Sequence, residues 1–445
     1  MDSSKMNTIA FIGLSHLGIN YSLATAAKGF EVIACDPDQA LVQNLSDGKF
    51  PVAEPGLEEL FSENRRRIHY TVNPDELKLA SLIFFSLDVK TDANNHSDLQ
   101  PLCRLIESVA SHITSGSTVV FLSQVTPGFT RRMVAQLRNE GRWQAGAVYY
   151  QVETLIFGRA VERALHPERL IVGCADPTPP FPEPYRRWLE SFGCPILPMR
   201  YESAELAKIS INFFLVSSVT TSNTLAELCE KIGADWLEIQ SALRLDARIG
   251  PKAYLNPGLG LSGGNLERDL QTFRDMANEL GVDWRLVEAW QANSRYRRDW
   301  VLRLLFHHLL TSLNSPRLAI WGLAYKENTN STRNSAALVL IESIPHIEKQ
   351  AYDPQVRLPD NTHPKFRQVS EPLAACREAD ALAIMTPWPQ FKDVSIMEVR
   401  SAMRGRLILD PYGMLDETKA RQEGFAYFKL GAGEQSTVNR PGCDD

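Results

Sequence analysis

The sequence predicts an α/β protein with two Rossmann-like, doubly wound domains joined by a helical middle domain that contains a long central helix. Short apolar runs alternate with helical patterns at both ends of the chain, which is typical of parallel sheets covered by helices. Between them, residues 202–232 show helical spacing of apolar residues without Gly or Pro. The chain has 445 residues, enough for several cores. The predicted domains are 1–198, 199–312 and 313–432, followed by a polar tail at 433–445.

The first domain begins with a strand–turn–helix–strand pattern. A strand over 6–12 is predicted to end at Gly13, a helix to run to about Lys28, and a second strand, Glu31–Cys35, to lead to Asp36. This is the start of a βαβ unit, and it implies a parallel sheet with both faces covered. Further strands of this domain are predicted at 80–86, 118–122 and 170–172.

The α/β pattern starts again near Pro316, after the helical middle. A helix is predicted over Ser335–Ile344. The arginines of the preceding helical sequence, Arg295, Arg297 and Arg298, are predicted to form a solvated helix face. Strands of the last domain are predicted at 317–321, 350–352, 381–385 and 406–409.

Composition and charge exclude several classes of protein. The net charge of −6 offers no basic surface for nucleic acid. The seven cysteines are scattered, odd in number and form no CxxC pair, which argues against a disulfide framework or a metal site and favours a reducing cytoplasm. No apolar run reaches the length of a membrane span, and no signal-peptide pattern opens the chain. We therefore expect a cytoplasmic protein without nucleic-acid, membrane or metal partners.

A dinucleotide fingerprint lies between the first predicted strand and helix. It is formed by Gly13-Leu14-Ser15-His16-Leu17-Gly18. The first glycine permits the tight turn and the third permits close helix–strand packing, whereas Ser15 replaces the glycine that would approach the pyrophosphate. Asp36 follows the second strand and favours NAD, because a carboxylate accepts from ribose hydroxyls and repels a 2′-phosphate. The alternative is a β–turn–α unit that binds no cofactor.

Several further segments together resemble the UDP-glucose/GDP-mannose dehydrogenase family of nucleotide-sugar 6-dehydrogenases. The loop from Pro257 through Gly260 to Asp269 resembles the catalytic loop of that family, which reads roughly Gly-Phe-Gly-Phe-Gly-Gly-Ser-Cys-Phe-x-Lys-Asp. The resemblance implies the fold given above, NAD as cofactor, a nucleotide-sugar substrate and a setting in polysaccharide biosynthesis. The other matching segments are 54–57, 123–130, 151–158, 205–214, 246–250, 321–326, 332–335 and 352–354.

The same resemblance implies roles for individual residues. Glu153 corresponds to a base that acts around water, while the second glutamate of that motif is replaced by Phe157. Lys208 and Asn212 lie four residues apart on the long helix and correspond to residues that hold water and oxyanion character. The remaining implied roles are cofactor contacts at Thr130 and Arg333, and substrate contacts at Gly260, Lys326 and Arg248, the last reaching into the neighbouring subunit of a homodimer.

The catalytic loop departs from the family at two positions. Asn265 stands where the family has its nucleophilic cysteine, and Arg268 stands where it has lysine. An amide forms no thiohemiacetal or thioester, and a guanidinium does not act as a base near neutral pH. The residues that remain are Asp269, Lys208, Asn212 and Glu153, and they suffice for one proton abstraction with one hydride transfer.

Three interpretations of this altered loop stay open. The first is a two-electron oxidoreductase that stops at an aldehyde or ketone, or reduces it again as an epimerase does. The second is a four-electron enzyme that oxidises a hydrated aldehyde to a uronic acid without a thioester. The third is a non-catalytic, nucleotide-binding or regulatory homologue.

Overall fold

A computed structural model describes residues 8–92, 94–143, 145–311, 313, 315–359 and 362–433. The chain divides into two compact units, residues 1–211 and residues 212–445. The predicted tail, apart from Gly433, and the first two residues of the predicted first strand lie outside the described residues. The predicted domain boundaries after 198 and 312 differ from this division and stay predictions.

The first unit is built on one mostly parallel sheet. In the described part of the unit its order is β10-β9-β8-β7-β4-β1-β2-β3. All neighbours pair in parallel except β8 and β9, which are antiparallel. The sequence predicted a parallel sheet, and that prediction is confirmed for the strands from β3 to β8. The strands are β1 Thr8–Ile12, β2 Glu31–Cys35, β3 Ile68–Thr71, β4 Leu82–Phe85, a small antiparallel hairpin of β5 Lys90–Thr91 and β6 Ser97–Asp98, then β7 Thr118–Phe121, β8 Val148–Gln151, β9 Leu170–Cys174 and β10 Ile196–Arg200.

Helices cover both faces of this sheet, and two large apolar clusters lie between helices and strands. The strand order from β3 through β2, β1 and β4 to β7 reverses direction between β1 and β4. In open α/β sheets such a reversal leaves a crevice beyond the carboxyl ends of the strands, where ligands bind. The helices are α1 His16–Ala27, α2 Gln39–Ser46, α3 Leu57–Asn64, α4 Gln100–Val109, α5 Phe129–Asn139, α6 Ala160–Leu165 and α7 Glu183–Glu190.

The long helix α8 spans Tyr201–Ile232 and confirms the helix predicted over 202–232. Its first turns belong to the first unit and its remainder to the second. It contains neither Gly nor Pro, the residues that most often interrupt a helix, so its backbone hydrogen bonds continue along its whole length. It is followed in the second unit by α9 Trp236–Leu245, α10 Asn265–Leu280, α11 Arg285–Arg298 and α12 Trp300–Leu305.

The position of Arg297 on α11 contradicts the prediction that it belongs to a solvated arginine face. Its side chain is completely buried and lies 3.3 Å from Glu227 and 3.0 Å from Glu230, both on α8. Burial of a guanidinium is tolerated because two carboxylates compensate its charge. The sequence prediction was wrong because both partners lie about 70 residues away, beyond any local pattern.

The second sheet is entirely parallel in the described residues, with the order β13-β12-β11-β14-β15-β16. Counted in chain order this is 3-2-1-4-5-6, the order of dinucleotide-binding α/β domains, so the predicted second Rossmann-like domain is confirmed. Its strands are β11 Arg317–Trp321, β12 Glu348–Tyr352, β13 Phe366–Gln368, β14 Ala381–Ile384, β15 Leu407–Leu409 and β16 Ala426–Phe428. Its helices are α13 Ala336–Ser343, α14 Pro372–Cys376, α15 Ile396–Ala402 and α16 Glu417–Gln422.

Among the described residues, no helix combines the length and the apolar character that a membrane crossing requires.

Candidate functional site

The fingerprint turn after β1 needs both of its glycines. Gly13 has φ +89° and donates its N–H to Cys35 at 3.0 Å. A Cβ on Gly13 would lie 2.8 Å from the Leu87 Cβ, and a Cβ on Gly18 would lie 2.1 Å from the Gly13 carbonyl oxygen. The turn therefore brings the start of α1 as close to β1 as a dinucleotide-binding unit requires.

Ser15, in place of the second glycine, holds the turn to the loop that follows β4. Its hydroxyl accepts from the Asp88 N–H at 2.7 Å and donates to the Ser86 carbonyl at 3.3 Å. Although Ser15 occupies the N-cap position of α1, its side chain makes no hydrogen bond to that helix. The helix is capped from elsewhere, because the Leu17 N–H donates to the Asp88 carboxylate at 3.0 Å.

Asp36 lies at the carboxyl end of β2, as predicted. It is 7% exposed and accepts from the Leu14 N–H at 2.7 Å and from the Asp38 N–H at 2.9 Å. An ionised carboxylate offers about four lone-pair positions, so two hydrogen bonds leave capacity for ribose hydroxyls. The geometry fits the predicted NAD contact.

Thr130 lies at the start of α5 and is fully buried. Its N–H donates to Glu205 at 2.9 Å, and the Gly128 N–H donates to the other oxygen of that carboxylate at 2.5 Å. Burial raises the pKa of Glu205, and these hydrogen bonds offset only part of the effect. Thr130 thus belongs to a fixed helix start, and its contact with the cofactor stays a prediction.

A histidine–glutamate pair beside the fingerprint was missed by the sequence reasoning. His16 Nε2 lies 2.7 Å from Glu54 Oε1, and the His16 ring stacks on Phe157 with centroids 4.3 Å apart. Glu54 also accepts from the N–H groups of Gly158 and Ala160 at 3.0 and 3.1 Å. Burial acts to raise the pKa of Glu54, but these hydrogen bonds and the imidazole outweigh it and lower the pKa. The only sequence signal was the matching segment 54–57, which gave no partner.

Glu153 and Lys208 form a close ion pair in the first unit. The Lys208 ammonium lies 2.6 Å from the Glu153 carboxylate and also donates to the Glu153 carbonyl at 3.1 Å. Both side chains are 13% exposed. The second carboxylate oxygen accepts from the Leu155 N–H at 3.0 Å. The pair is therefore held at a fixed position, with a carboxylate directly beside a positive charge.

The altered catalytic loop leads into α10 in the second unit. Asn265 is the first residue of α10 and is exposed, whereas Arg268 and Asp269, one turn later, are buried. Asp269 accepts a hydrogen bond from the Asn212 amide and lies 3.3 Å from the Arg268 guanidinium. The structure thus brings Asn212, Arg268 and Asp269 together, and places the Asn265 side chain at the accessible start of the helix.

The Gly-rich part of this loop is held by the C-terminal α/β sequence of the same unit. Gly263 donates to the Arg333 carbonyl at 3.1 Å and accepts from the Asn334 amide at 2.7 Å. Gly260 has φ +74°, and a Cβ there would lie 2.3 Å from the Ser294 carbonyl oxygen. The predicted substrate residue Gly260 is therefore required sterically, whatever it binds.

The three predicted basic ligands differ in exposure. Lys326 is half-buried, with its ammonium 5.7 Å from the centre of the Tyr325 ring, and Arg333 is exposed. The Arg248 side chain is 89% exposed and forms two hydrogen bonds with Asp246, at 3.0 and 2.7 Å. An exposed arginine on this segment is compatible with the predicted contact to another subunit. Among the described residues, no group of three or more His, Cys, Asp or Glu side chains could hold a metal ion.

Fold and site together define a dinucleotide-binding dehydrogenase with a second nucleotide-binding α/β domain. Models of three domains of one family match the chain: the NAD binding domain at residues 7–180, the central domain at 202–295 and the UDP binding domain at 319–417. The chain belongs to the UDP-glucose/GDP-mannose dehydrogenase family. By family it is an NAD-dependent nucleotide-sugar dehydrogenase, and NAD is its cofactor.

Individual relatives and solved structures are similar to the chain over almost its whole length. The chain is 26% identical over 437 residues to the UDP-glucose 6-dehydrogenase TuaD of Bacillus subtilis, covering 96% of this chain and 93% of that protein. A UDP-glucose dehydrogenase from the archaeon Pyrobaculum islandicum has the same fold, with a TM-score of 0.82, 24% identity and coverage of 97% and 99%. A UDP-D-ManNAc dehydrogenase from Pyrococcus horikoshii also shares the fold, with a TM-score of 0.82, 23% identity and coverage of 95% and 99%.

Proposed function

We propose that the protein removes one hydride and one proton from a UDP-sugar and stops at the aldehyde or ketone. The observation that carries this proposal is Asn265 at the exposed start of α10, where the resemblance requires a nucleophilic cysteine. NAD, held at the turn from Gly13 to Gly18 with Asp36 at its ribose, would supply the hydride acceptor, so alcohol and NAD⁺ would give carbonyl compound, NADH and one proton. Without a thiolate, the carbonyl product is not captured covalently for a second oxidation.

Glu153 is proposed as the base in this reaction. Its carboxylate takes the proton of the sugar hydroxyl, directly or through one water molecule. The Lys208 ammonium, 2.6 Å from that carboxylate, stabilises the negative charge that develops on the sugar oxygen. One ion pair therefore has two roles in this proposal: Glu153 accepts the proton, and Lys208 stabilises the charge that the proton leaves on the sugar oxygen.

Asn212 and Asp269 are proposed to position the sugar in the same reaction. Asp269 accepts from the Asn212 amide, which fixes the amide plane and the direction of its remaining hydrogen-bonding groups. Arg268 supplies a permanent positive charge next to Asp269 and does not exchange a proton near neutral pH. Lys326 is proposed to pair with a phosphate of the nucleotide, and Gly260 and Arg333 to line the substrate and cofactor sites.

The working form is proposed to be a homodimer with Arg248 acting across the subunit boundary. Large apolar side chains remain exposed on α8 and α9, which supports association through these helices. Static light scattering at micromolar concentration should give twice the mass of one chain, and a monomer would contradict both the dimer and the role of Arg248. The exposed side chains are Leu206, Phe214, Leu225, Leu228 and Ile232 on α8, and Leu237, Ile239 and Leu245 on α9.

A cytoplasmic setting in polysaccharide biosynthesis is also part of the proposal. Support comes from the cysteines, because the six within the described residues are all free. Neither nucleic acid nor a membrane is proposed as a partner, because the net charge is −6 and basic residues form no long run.

One experiment separates this function from its alternatives. The pure protein is incubated with NAD and a panel of nucleotide sugars, NADH is counted per sugar, and the product is identified by mass after trapping with hydroxylamine. One NADH per sugar and a trapped carbonyl product are expected. Two NADH and a uronic acid would favour oxidation of a hydrated aldehyde. No NADH while nucleotide still binds would favour the non-catalytic homologue.

Variants of the same protein make the test specific. Lys208→Met should lower turnover by about two orders of magnitude, because it removes the charge beside Glu153. Lys231→Met, on an exposed turn of the same helix, is the matched control and should leave turnover unchanged. Asn265→Cys alone should not yield full acid formation, because Phe157 and Arg268 also differ from the environment that a nucleophile needs.

A further inference from the structure

The Asp88 carboxylate lies at the N-terminus of helix α1. Its Oδ2 accepts from the Leu17 N–H at 3.0 Å, 71 residues away along the chain. The first N–H groups of a helix have no partner within the helix, and together with the helix dipole they attract anions. Ser15, the N-cap residue, does not serve them. Asp88 therefore acts as an internal anion on this helix.

Further hydrogen bonds, made by Ser15 and Ser86, hold the loop that carries Asp88 in this position. The Asp88 N–H donates to the Ser15 hydroxyl at 2.7 Å, and the same hydroxyl contacts the Ser86 carbonyl at 3.3 Å. The Ser86 side chain in turn donates to the Gly13 carbonyl at 3.0 Å. The serine that replaces the second fingerprint glycine is thus one of the groups that hold Asp88 against α1.

This position is where the cofactor pyrophosphate is expected. Asp88 follows β4 and reaches α1, which follows β1, so it lies where the strand order reverses. Dinucleotides bind at that reversal, with the pyrophosphate on the N-terminal N–H groups of the first helix. A carboxylate and a pyrophosphate carry charge of the same sign and compete for the same donors.

We propose that Asp88 is an autoinhibitory residue of the NAD site, whose carboxylate must leave the Leu17 N–H before the pyrophosphate binds. NAD affinity is then reduced by the free energy of breaking this contact and by repulsion from the displaced carboxylate. The inference rests on NAD as cofactor and is independent of the number of hydrides that the sugar loses.

Direct binding measurements without sugar test the proposal. Titrations of wild type and Asp88→Asn with NAD, ADP-ribose and adenosine compare ligands with and without a pyrophosphate. Asp88→Asn removes the charge and keeps an oxygen that accepts from Leu17. It should bind NAD and ADP-ribose about tenfold more tightly, and adenosine unchanged. The gain should shrink as salt rises from about 0.05 to about 0.5 M.

Asp176→Asn is the matched control. Asp176 is an exposed loop carboxylate that also accepts one backbone N–H, from Thr178 at 2.9 Å. It follows β9, which is antiparallel to β8, so it lies at the opposite edge of the sheet from the fingerprint. This variant makes the same change in net charge and should leave NAD affinity unchanged.

Several results would overturn the proposal. They are equal, weaker or undetectable NAD binding by Asp88→Asn, a gain that includes adenosine, a gain independent of salt, or the same gain in Asp176→Asn. If Asp88→Asn does not fold, as judged by circular dichroism, Ser15→Gly replaces it. That variant removes the hydroxyl that holds the Asp88 N–H, and it should also bind NAD more tightly than wild type.

Discussion

The two α/β domains contain the same structural feature and use it differently. In each, the first strand ends at a glycine with positive φ, Gly13 with +89° and Gly322 with +94°. In each, an aspartate after the second strand accepts from the N–H of the residue that follows the glycine, at 2.7 Å for Asp36 and 2.6 Å for Asp353. The surroundings of these two carboxylates then diverge.

The Asp36 carboxylate accepts two hydrogen bonds, both from backbone N–H groups. The Asp353 carboxylate accepts five hydrogen bonds and is completely buried. Because a carboxylate has about four lone-pair positions, Asp353 has no capacity left for a ligand. The same residue at the same place is thus a structural centre in one domain and an available acceptor in the other. The five donors to Asp353 are the backbone N–H groups of Leu323, Ala324, Gln355 and Val356 and the Trp388 indole.

The largest effect is expected from removing the structural carboxylate. Asp353→Ala leaves five donors without their acceptor, and several are buried, so the free energy of unfolding should fall by about 3 to 5 kcal/mol. Asp36→Ala should cost about 1 kcal/mol, because only two donors lose their acceptor and one of them, the Asp38 N–H, belongs to an exposed residue. Urea unfolding followed by circular dichroism gives both values. Equal losses would contradict the distinction between the two aspartates.

The glycines at the two domain starts offer the next comparison. Gly18→Ala places a Cβ 2.1 Å from the Gly13 carbonyl oxygen, and Gly322→Ala places one 2.4 Å from the Thr386 Cβ. Each should destabilise the protein by about 2 kcal/mol, because backbone or a buried side chain must move. NAD binding should be lost only with Gly18→Ala.

Gly116→Ala is the control for both glycine variants, since its Cβ would meet no atom within 4 Å. It should leave both stability and NAD affinity close to the wild-type values. If Gly322→Ala abolished NAD binding as well, the assignment of the cofactor to the first domain alone would be wrong.

A smaller effect is expected on the affinities for NAD and NADP. Asp36→Ala should weaken NAD by about tenfold, because a hydrogen bond to a charged acceptor is lost, and should narrow the difference between NAD and NADP. Isothermal titration with both cofactors measures this. Equal affinity of the wild-type protein for NAD and NADP would contradict the role of Asp36. Asp353 is not expected to take over this role, because its carboxylate already accepts five hydrogen bonds.

The sequence predicted those features whose causes are local. Strands β2 and β11 begin and end as predicted, because a short apolar run followed by Asp or Gly has few other interpretations. Helix α13 is one residue shorter at each end than predicted: Ser335 is its N-cap and accepts from the Ala337 N–H, and Ile344 at the other end has left the helical conformation. The antiparallel pairing of β8 with β9 was not predictable, since strand direction depends on how the chain crosses the sheet.

The contacts of the site that the sequence did not predict join segments that are far apart along the chain. His16 and Glu54 are 38 residues apart, and Leu17 and Asp88 are 71 apart, so no local spacing indicated either contact. The Glu153–Lys208 pair was anticipated only through family motifs that named both residues without joining them. Resemblance supplied residue identities, whereas the structure supplies the pairs in which they act.

The smallest effect concerns the pH dependence of stability, through a buried carboxylate in each unit. Burial raises the pKa of Glu205 in the first unit and of Asp410 in the second. The folded protein then holds a proton that the unfolded chain releases, so stability from each group is present at low pH and is lost as pH rises through the folded pKa. Relative to Glu205→Gln or Asp410→Asn, the wild-type protein should lose stability as pH rises above about 4, the ordinary pKa of a carboxyl group.

Glu202, one turn before Glu205 on α8, is the control with the opposite sign. Its hydrogen bond to Arg131, at 2.5 Å, holds the pKa of Glu202 at about 2. Here the unfolded chain binds the extra proton, so the contribution is present above the unfolded pKa and is lost as pH falls. Denaturant unfolding from about pH 3 to pH 7 should therefore show wild type losing stability relative to Glu205→Gln, and gaining it relative to Glu202→Gln, as pH rises. The same sign for both variants would mean that burial does not control the titration of Glu205.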